Sequence, residues 1–229
     1  MKLAVMQPYL FPYIGYYQLV NSVDKFVFYD DVSFIKGGYI NRNRILVNGQ
    51  AHLFSLPIIG ASQNKLINEL VFDRSIRKLL KTIEQSYKKA PYFSDVFPII
   101  ESVITGDDRS VLSITSASVQ SVFDYLCIKR EFLISSHLRN DKSASAKKRL
   151  IDMSKMLNCD VYINSPGGKN LYRKDYFENS GIRLEFLESE PVKYEQNSNV
   201  FTPNLSIIDV LMWNSKQEVT NMLGKCRSL

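Results

Sequence analysis

The amino-acid sequence predicts an α/β fold with a mainly parallel sheet, built as a single domain over residues 1–229. A strand, a helix and a second strand are expected within the first thirty residues: the apolar run Lys2–Met6, a helix from near Gly15, and the aromatic and β-branched run Lys25–Asp30. The same alternation returns after residue 131. With 229 residues and 45% hydrophobic composition, the chain can bury a core without disulfides.

The remaining helices and strands are predicted from local patterns of apolar, glycine and proline residues. Arg44–Val47 and His52–Leu56 flank Asn48-Gly49, which predicts a hairpin with a type I′ turn that joins the sheet and makes it mixed. Residues 65–126 read as a mostly helical insert or lid, with Pro91 and Pro98 as breaks. Strands and helices then alternate: strand Glu131–Ser135, helix Ser145–Leu157, strand Asp160–Asn164, helix Arg173–Asn179, strand Ile182–Leu187 and a final helix Ser206–Leu223.

The composition argues against several classes of protein. Three cysteines at irregular spacing indicate neither a disulfide framework nor a zinc site, and no run is long enough to insert in a membrane, so a reducing cytoplasmic location is expected. His52 and His137 are isolated, and we expect structural roles for both and no metal site. The net charge of +6 favours anionic partners such as phosphates, nucleotides or RNA, although surplus lysine can also serve only to keep a protein dissolved.

The stretch MQPYLFPYIGYYQLV, residues 6–20, leaves the first predicted strand with two prolines that hold the chain open. Ligands of parallel α/β sheets bind beyond the carboxyl ends of the strands, where this loop lies if strand one is central. Tyrosines are concentrated here and can stack on rings or bond polar edges, unless they are ordinary core residues. The candidate binding residues are Gln7, Tyr9, Tyr13, Gly15, Tyr16 and, from the second strand, Tyr29.

Residues 12–20 also resemble the HIGH signature of nucleotidylyltransferase-type folds, with Tyr16 at the second histidine. That resemblance implies a Rossmann-like sheet with a nucleotidylyltransferase-like start. Tyrosine cannot supply the cationic imidazole that adenylyl transfer uses.

The stretch YDDVSFIKGGYINRNRI, residues 29–45, carries the second candidate group. Asp30 and Asp31 follow a strand and are candidates for a general base or for hydroxyl acceptors. Adjacent carboxylates on an extended strand point to opposite sides, so a shared metal is not expected. Arginine suits a diphosphate, whereas a solvated hairpin face is the plainer alternative. The further binding candidates here are Lys36, Asn41, Arg42, Asn43 and Arg44.

Two later loops complete the candidate site. In INSPGGKNLY, residues 163–172, the amides of Ser165, Gly167 and Gly168 can cradle an anion or oxyanion and Lys169 can add catalytic charge, although a tight turn also explains the glycines. In FTPNLSIID, residues 201–209, Ser206 reads as a helix cap and Asn204 as a substrate contact.

Together these motifs resemble the WbqC-like protein family over essentially the whole chain. The resemblance implies a role in bacterial surface polysaccharide, particularly O-antigen, biosynthesis. It is consistent with a transferase that acylates, for instance with glycine, an amino sugar carried on a nucleoside diphosphate such as dTDP. The donor is left open between an amino acid activated by ATP and an aminoacyl-tRNA. Two alternatives remain: a non-catalytic nucleotide-sugar or RNA binding module, and a scaffold with an exposed apolar patch.

Overall fold

The computed structural model describes all residues, Met1–Leu229. Its strands are β1 (Lys2–Met6), β2 (Lys25–Phe28), β3 (Arg42–Val47), β4 (Gln50–Ser55), β5 (Ile58–Ile59), β6 (Val71–Phe72), β7 (Glu131–Ile134), β8 (Val161–Asn164), β9 (Arg183–Ser189) and β10 (Cys226–Ser228). Its helices are α1 (Ile14–Asn21), α2 (Arg77–Tyr87), α3 (Phe93–Thr105), α4 (Val111–Tyr125), α5 (Ala146–Met156), α6 (Lys174–Glu178), α7 (Ile207–Trp213) and α8 (Lys216–Leu223).

A six-stranded sheet with the order β10-β9-β8-β1-β2-β7 forms the centre of the molecule. All its pairs are parallel except β9 with β10, which confirms the predicted α/β class with a mainly parallel sheet. The chain runs outward from β1 to β2 and β7, then crosses back to β8 and β9. The order therefore reverses between β1 and β8, where a crevice opens in sheets of this kind.

Apolar side chains from the two faces of the sheet enter two separate cores. One face packs Ala4 and Phe26 against α1, α4, α7 and α8 in a cluster of 43 buried residues. The other packs Leu3 and Tyr162 against α5 and α6 in a cluster of 12. This alternation follows from the period of two along each strand.

The predicted hairpin is confirmed, but the prediction that it joins the main sheet was wrong. Asn48 and Gly49 have φ of 51° and 75°, as a type I′ turn requires, and β3 pairs with β4. These strands form their own two-stranded sheet. The antiparallel strand of the main sheet is instead β10, three residues at the C-terminus that carry no readable strand pattern.

Two helix predictions are corrected. Pro98 does not end a helix: α3 continues through it, since Val96, Ile100 and Ile104 bury one face of that helix. The single helix predicted over Ser206–Leu223 is two helices, α7 and α8. The chain is extended at Asn214, and Ser215 then starts α8 with a capping box to Glu218.

Residues 65–126 contain α2, α3 and α4 together with β6, which pairs with β5 outside the main sheet. Their role as an insert or lid stays a prediction. None of the helices combines the length and the apolar character needed to cross a membrane.

Candidate functional site

A cavity of about 280 Å³ lies at the reversal of strand order, beyond the carboxyl ends of β1 and β8. We call it the switch-point cavity. Its polar lining comes from three separated segments: Gln7 and Tyr9, then Tyr29, then Asn164, Ser165, Gly167, Gly168 and Tyr172. The chain thus gathers parts of three predicted constellations at one place.

Asn164, the last residue of β8, presents a hydrogen-bond donor to this cavity. The side chain is 7% exposed, and its Oδ1 accepts a hydrogen bond of 2.8 Å from the Ser165 amide. That bond fixes which end of the amide is oxygen, because only the oxygen can accept. Nδ2 donates to no group of the chain, so it remains available to a ligand.

The glycine loop shapes the same wall. The chain after β8 forms a tight 3-10 turn over Pro166–Asn170. A Cβ at Gly168 would lie 2.6 Å from Asn164 Nδ2, whereas one at Gly167 would meet nothing within 4 Å. Gly168 is therefore required for the approach of Asn164. Lys169 is exposed on this turn and does not line the cavity.

Tyr29 also lines the cavity, and a buried arginine lies against its ring. The Arg149 guanidinium carbon lies 4.7 Å from the centroid of the Tyr29 ring. Burial raises the pKa of Tyr29 to about 12, with Arg149 opposing that rise and Asp31 adding to it. Burial also raises the pKa of Tyr9 and Tyr172. These phenols are neutral at neutral pH, so the cavity offers hydroxyls and amides rather than charges.

Asp30 is fully buried and its carboxylate is used internally. Oδ1 accepts from the Ser135 hydroxyl at 2.8 Å and from the Ser136 amide at 2.9 Å. Oδ2 accepts from the Ser136 hydroxyl at 2.6 Å and from Asn68 Nδ2 at 3.1 Å. These hydrogen bonds connect the end of β2 to the end of β7. They occupy both carboxylate oxygens, so neither is free to contact a substrate.

Asp31 is held by a buried ion pair. Its Oδ1 accepts from Arg149 Nη2 at 2.7 Å, and both side chains are at most 5% exposed. The other oxygen has no hydrogen bond, and Lys142 Nζ lies 3.9 Å from it.

The expectation that the two carboxylates point to opposite sides was wrong. Ser135 Oγ lies 2.8 Å from Asp30 Oδ1 and 2.6 Å from Asp31 Oδ1, so both carboxylates meet one hydroxyl. The strand ends at Phe28, and the alternation of side chains ends with it. One hydroxyl proton can serve only one oxygen at a time, and Arg149 pairs with Asp31 alone.

The loop between β1 and α1 is held in a sparsely populated backbone conformation. Phe11 has φ of 41°. Its carbonyl accepts from Asn43 Nδ2 and from Ser206 Oγ, each at 2.7 Å, and its amide donates to Ser118 Oγ at 3.0 Å. Asn43 and Ser206, from two distant motifs, therefore act on the first motif by fixing this loop.

The other candidates of the first two motifs have internal partners or lie apart from the switch-point cavity. Tyr16 is buried and donates to the Gln7 carbonyl at 3.0 Å, and Asn41 donates to the Leu56 carbonyl at 3.0 Å. Arg42 donates through Nε to the Gly38 carbonyl at 2.9 Å and through Nη2 to the Gly37 carbonyl. Arg44 Nε is buried without a partner, and Lys36 is exposed.

A second cavity, of about 630 Å³, lies between the start of α1 and the end of β9. We call it the α1 cavity. Tyr13, Gly15 and Asn204 all line it, so the helix start and the FTPNLSIID motif meet there. Asn204 adopts φ of 57°, and the loop that contains it is joined to the chain before α1 by a hydrogen bond of 2.9 Å from the Ile207 amide to the Pro12 carbonyl.

Sequence reasoning missed three residues of the switch-point region. Asn164 was read only as the end of a strand, and Ser135 likewise. Arg149 stands in the run KKR of the helix predicted over Ser145–Leu157 and was given no role. Its spacing of four from Met153, which is fully buried, is a signal that could have placed it on the apolar face of α5.

Comparison with known proteins agrees with the motif resemblance. The model of the WbqC-like protein family matches residues 7–221. The uncharacterized protein Rv1507c of Mycobacterium tuberculosis is 22% identical over 231 residues, covering 99% of each chain. No solved structure matches. Because the family model spans nearly the whole chain and includes the segments that build both cavities, the chain belongs to the WbqC-like protein family.

Proposed function

We propose that this protein is a transferase that acylates a nucleotide-linked amino sugar in O-antigen biosynthesis, and that the sugar occupies the switch-point cavity. The strand order 3-2-1-4-5, counting the parallel strands along the chain, supports a Rossmann-like fold of the kind that binds nucleotides at this crevice. The nucleotidylyltransferase-like start remains part of the proposal.

The observation that carries the proposal is the chemistry of the cavity wall. Phenolic hydroxyls, a serine hydroxyl and two carboxamides from Gln7 and Asn164 line it beside apolar side chains such as Val5 and Leu150, and no charged side chain does. Such a lining suits a neutral ring with several hydroxyls. A volume of about 280 Å³ suits one ring of a nucleotide-linked sugar rather than the whole molecule.

The proposed reaction needs little covalent participation by the protein. With ATP, the glycine carboxylate first attacks the α-phosphorus and pyrophosphate leaves, which gives glycyl-AMP. The neutral amine of the sugar then attacks the acyl carbon of glycyl-AMP or of glycyl-tRNA, a C–N bond forms, and the bond to the leaving oxygen of AMP or of tRNA breaks. The proton lost by the amine passes through solvent to the leaving oxygen. Asn164 Nδ2 is the available donor for a sugar hydroxyl or for the oxyanion of the intermediate.

A non-catalytic nucleotide-sugar or RNA binding module is the second candidate, and one observation favours it. Asp30 and Asp31 were the candidates for a general base, and both carboxylates are buried among structural partners. A binding module requires the cavity without a base.

Acyl transfer can be tested directly with the purified protein and a dTDP-linked amino sugar. Glycine with ATP is supplied in one reaction and glycyl-tRNA in another, and mass spectrometry detects the glycyl amide. Asn164→Ala should lower turnover by about tenfold or more, as loss of a transition-state donor does. Asn170→Ala, an exposed change on the same turn, should not.

Formation of the amide with one donor identifies the donor and supports the transferase. If the sugar binds but neither donor gives product, the binding module is correct. Equal activity of Asn164→Ala and wild type would exclude the role assigned to Asn164.

A further inference from the structure

The α1 cavity is more than twice the volume of the switch-point cavity, at about 630 Å³ against 280 Å³. It lies on the face of the sheet covered by α1, at the carboxyl end of β9. Its walls are mainly apolar, and its polar features are few and well defined. It thus has the character of a binding site for a neutral group.

Gln18 supplies a fixed hydrogen-bond acceptor to this cavity. The residue is 1% exposed and lines the cavity from the second turn of α1. Its Nε2 donates to the carbonyls of Met222 at 2.9 Å and Lys225 at 3.3 Å. Two carbonyl partners fix the amide orientation, because only the nitrogen can donate. Oε1 then accepts no hydrogen bond from the chain, so it is available to a donor on a ligand that fills the cavity.

Three aromatic residues line the same cavity. Tyr194 and Phe201 meet edge to face with ring centroids 5.6 Å apart, and the Tyr194 hydroxyl donates to Asp209 at 2.7 Å, which fixes this wall. Tyr13 is the third, and its ring folds over Gly15, where any Cβ would lie 2.4 Å from it. Glu190 and Lys193 also line the cavity, and their charges have opposite signs.

From these features we infer that the α1 cavity binds a nucleobase whose N–H edge faces Gln18 Oε1. A nucleobase is neutral, flat and carries edge N–H donors, and stacking on aromatic side chains is its usual mode of recognition. The inference rests on the proposed function, because the reaction supplies two sources of such a base. One is the thymine of the nucleotide-linked sugar, and the other is the adenine of ATP or of the terminal adenosine of tRNA.

The test is calorimetric titration of the intact protein with ADP and, separately, with dTDP, without amino sugar or acyl donor. Gln18→Met removes the acceptor and keeps the length of the side chain. Tyr13→Ala removes a ring that is 38% exposed and has no hydrogen bond to the rest of the chain, so it keeps the test available if Gln18→Met does not fold. Asn170→Ala, an exposed change that lines neither cavity, is the control.

Both α1-cavity changes should weaken nucleotide binding by about tenfold or more, the usual effect of losing a stacking or edge contact, and the control should not. If the variants lose ADP binding, the base in the α1 cavity is the adenine of the acyl donor. If they lose dTDP binding, it is the thymine of the sugar nucleotide. The inference is overturned if the folded wild type binds neither nucleotide, or if both variants bind as the wild type does. Nucleotide binding without acyl transfer would overturn only the proposed function.

Discussion

Gly168 and Asn164 are in such close contact that a Cβ on the glycine would lie 2.6 Å from the asparagine Nδ2. The glycine is thus needed for the shape of the switch-point cavity, and not only for the turn that holds it. Asn164 cannot retreat freely, because its Oδ1 is bonded to the next amide at 2.8 Å.

Gly168→Ala should therefore displace the Asn164 amide and weaken ligand binding in the switch-point cavity by about tenfold, the scale of one lost polar contact. Gly167→Ala is the matched control, since a Cβ there has open space. Calorimetry with a dTDP-linked amino sugar measures both. Equal affinities for the two variants would show that Asn164 does not contact the ligand.

The buried pair of Asp31 and Arg149 leads to a prediction about stability. Asp31→Asn leaves the Arg149 guanidinium buried without a counter-charge, and loss of one partner of such a pair costs about 3–5 kcal/mol. The free energy of unfolding in urea should fall accordingly. Lys148→Gln, which breaks an exposed pair with Asp152, should leave the free energy of unfolding nearly unchanged.

The double change Asp31→Asn with Arg149→Met should recover part of the loss, because neither member of the pair is then left charged without its partner. If Asp31→Asn instead unfolds like the wild type but turns over about 100-fold more slowly, the carboxylate is a catalytic base after all.

The parallel strands of the main sheet could be predicted because each contains a short apolar or β-branched run, VYIN at β8 being an example, whereas β10 (CRS) could not. The break between α7 and α8 was also readable, since Ser215 and Glu218 have the spacing of a capping box. The hydrogen bonds of Asn43 and Ser206 to one carbonyl could not be predicted, because they join residues far apart in the chain. The same holds for the meeting of Asp30 and Asp31 at Ser135, which depends on where β2 ends.

Arg42 was predicted to bind a phosphate, but its contacts in the fold change the expected effect of replacing it. The guanidinium donates to the carbonyls of Gly37 and Gly38 and so closes the loop before β3. Arg42→Ala should release this loop and speed amide hydrogen exchange at residues 36–39, with a loss of about 1–3 kcal/mol in local stability. Arg42→Lys should not restore protection, because lysine lacks the planar fork.

If Arg42→Ala leaves exchange unchanged but weakens dTDP binding, the guanidinium serves a phosphate and the loop contacts are secondary. Calorimetry beside the exchange experiment separates the two roles.

Asp209 predicts a pH dependence of stability. The carboxylate is fully buried and accepts hydrogen bonds of 2.7 Å from the Tyr87 and Tyr194 hydroxyls, with no cation paired to it. Burial raises the pKa of Asp209 above its usual range, and the two hydroxyls only partly oppose this. The folded state therefore holds the proton more tightly than the unfolded state. The contribution to stability is full below the ordinary aspartate pKa of about 4, and it is lost as the pH rises through the raised folded pKa.

Asp209→Asn keeps the shape and remains neutral, so its free energy of unfolding should not fall over that window, whereas that of the wild type should. Urea denaturation at a series of pH values gives the difference between the two curves. Asp141→Asn is the control of opposite sign, because hydrogen bonds from Ser143 lower the pKa of that exposed carboxyl and its contribution is lost as the pH falls. If the difference in free energy of unfolding between the wild type and Asp209→Asn does not change with pH, the carboxylate stays ionised in the folded protein. The two tyrosine hydroxyls, together with the close packing of α2 against β3, would then have to stabilise the buried charge.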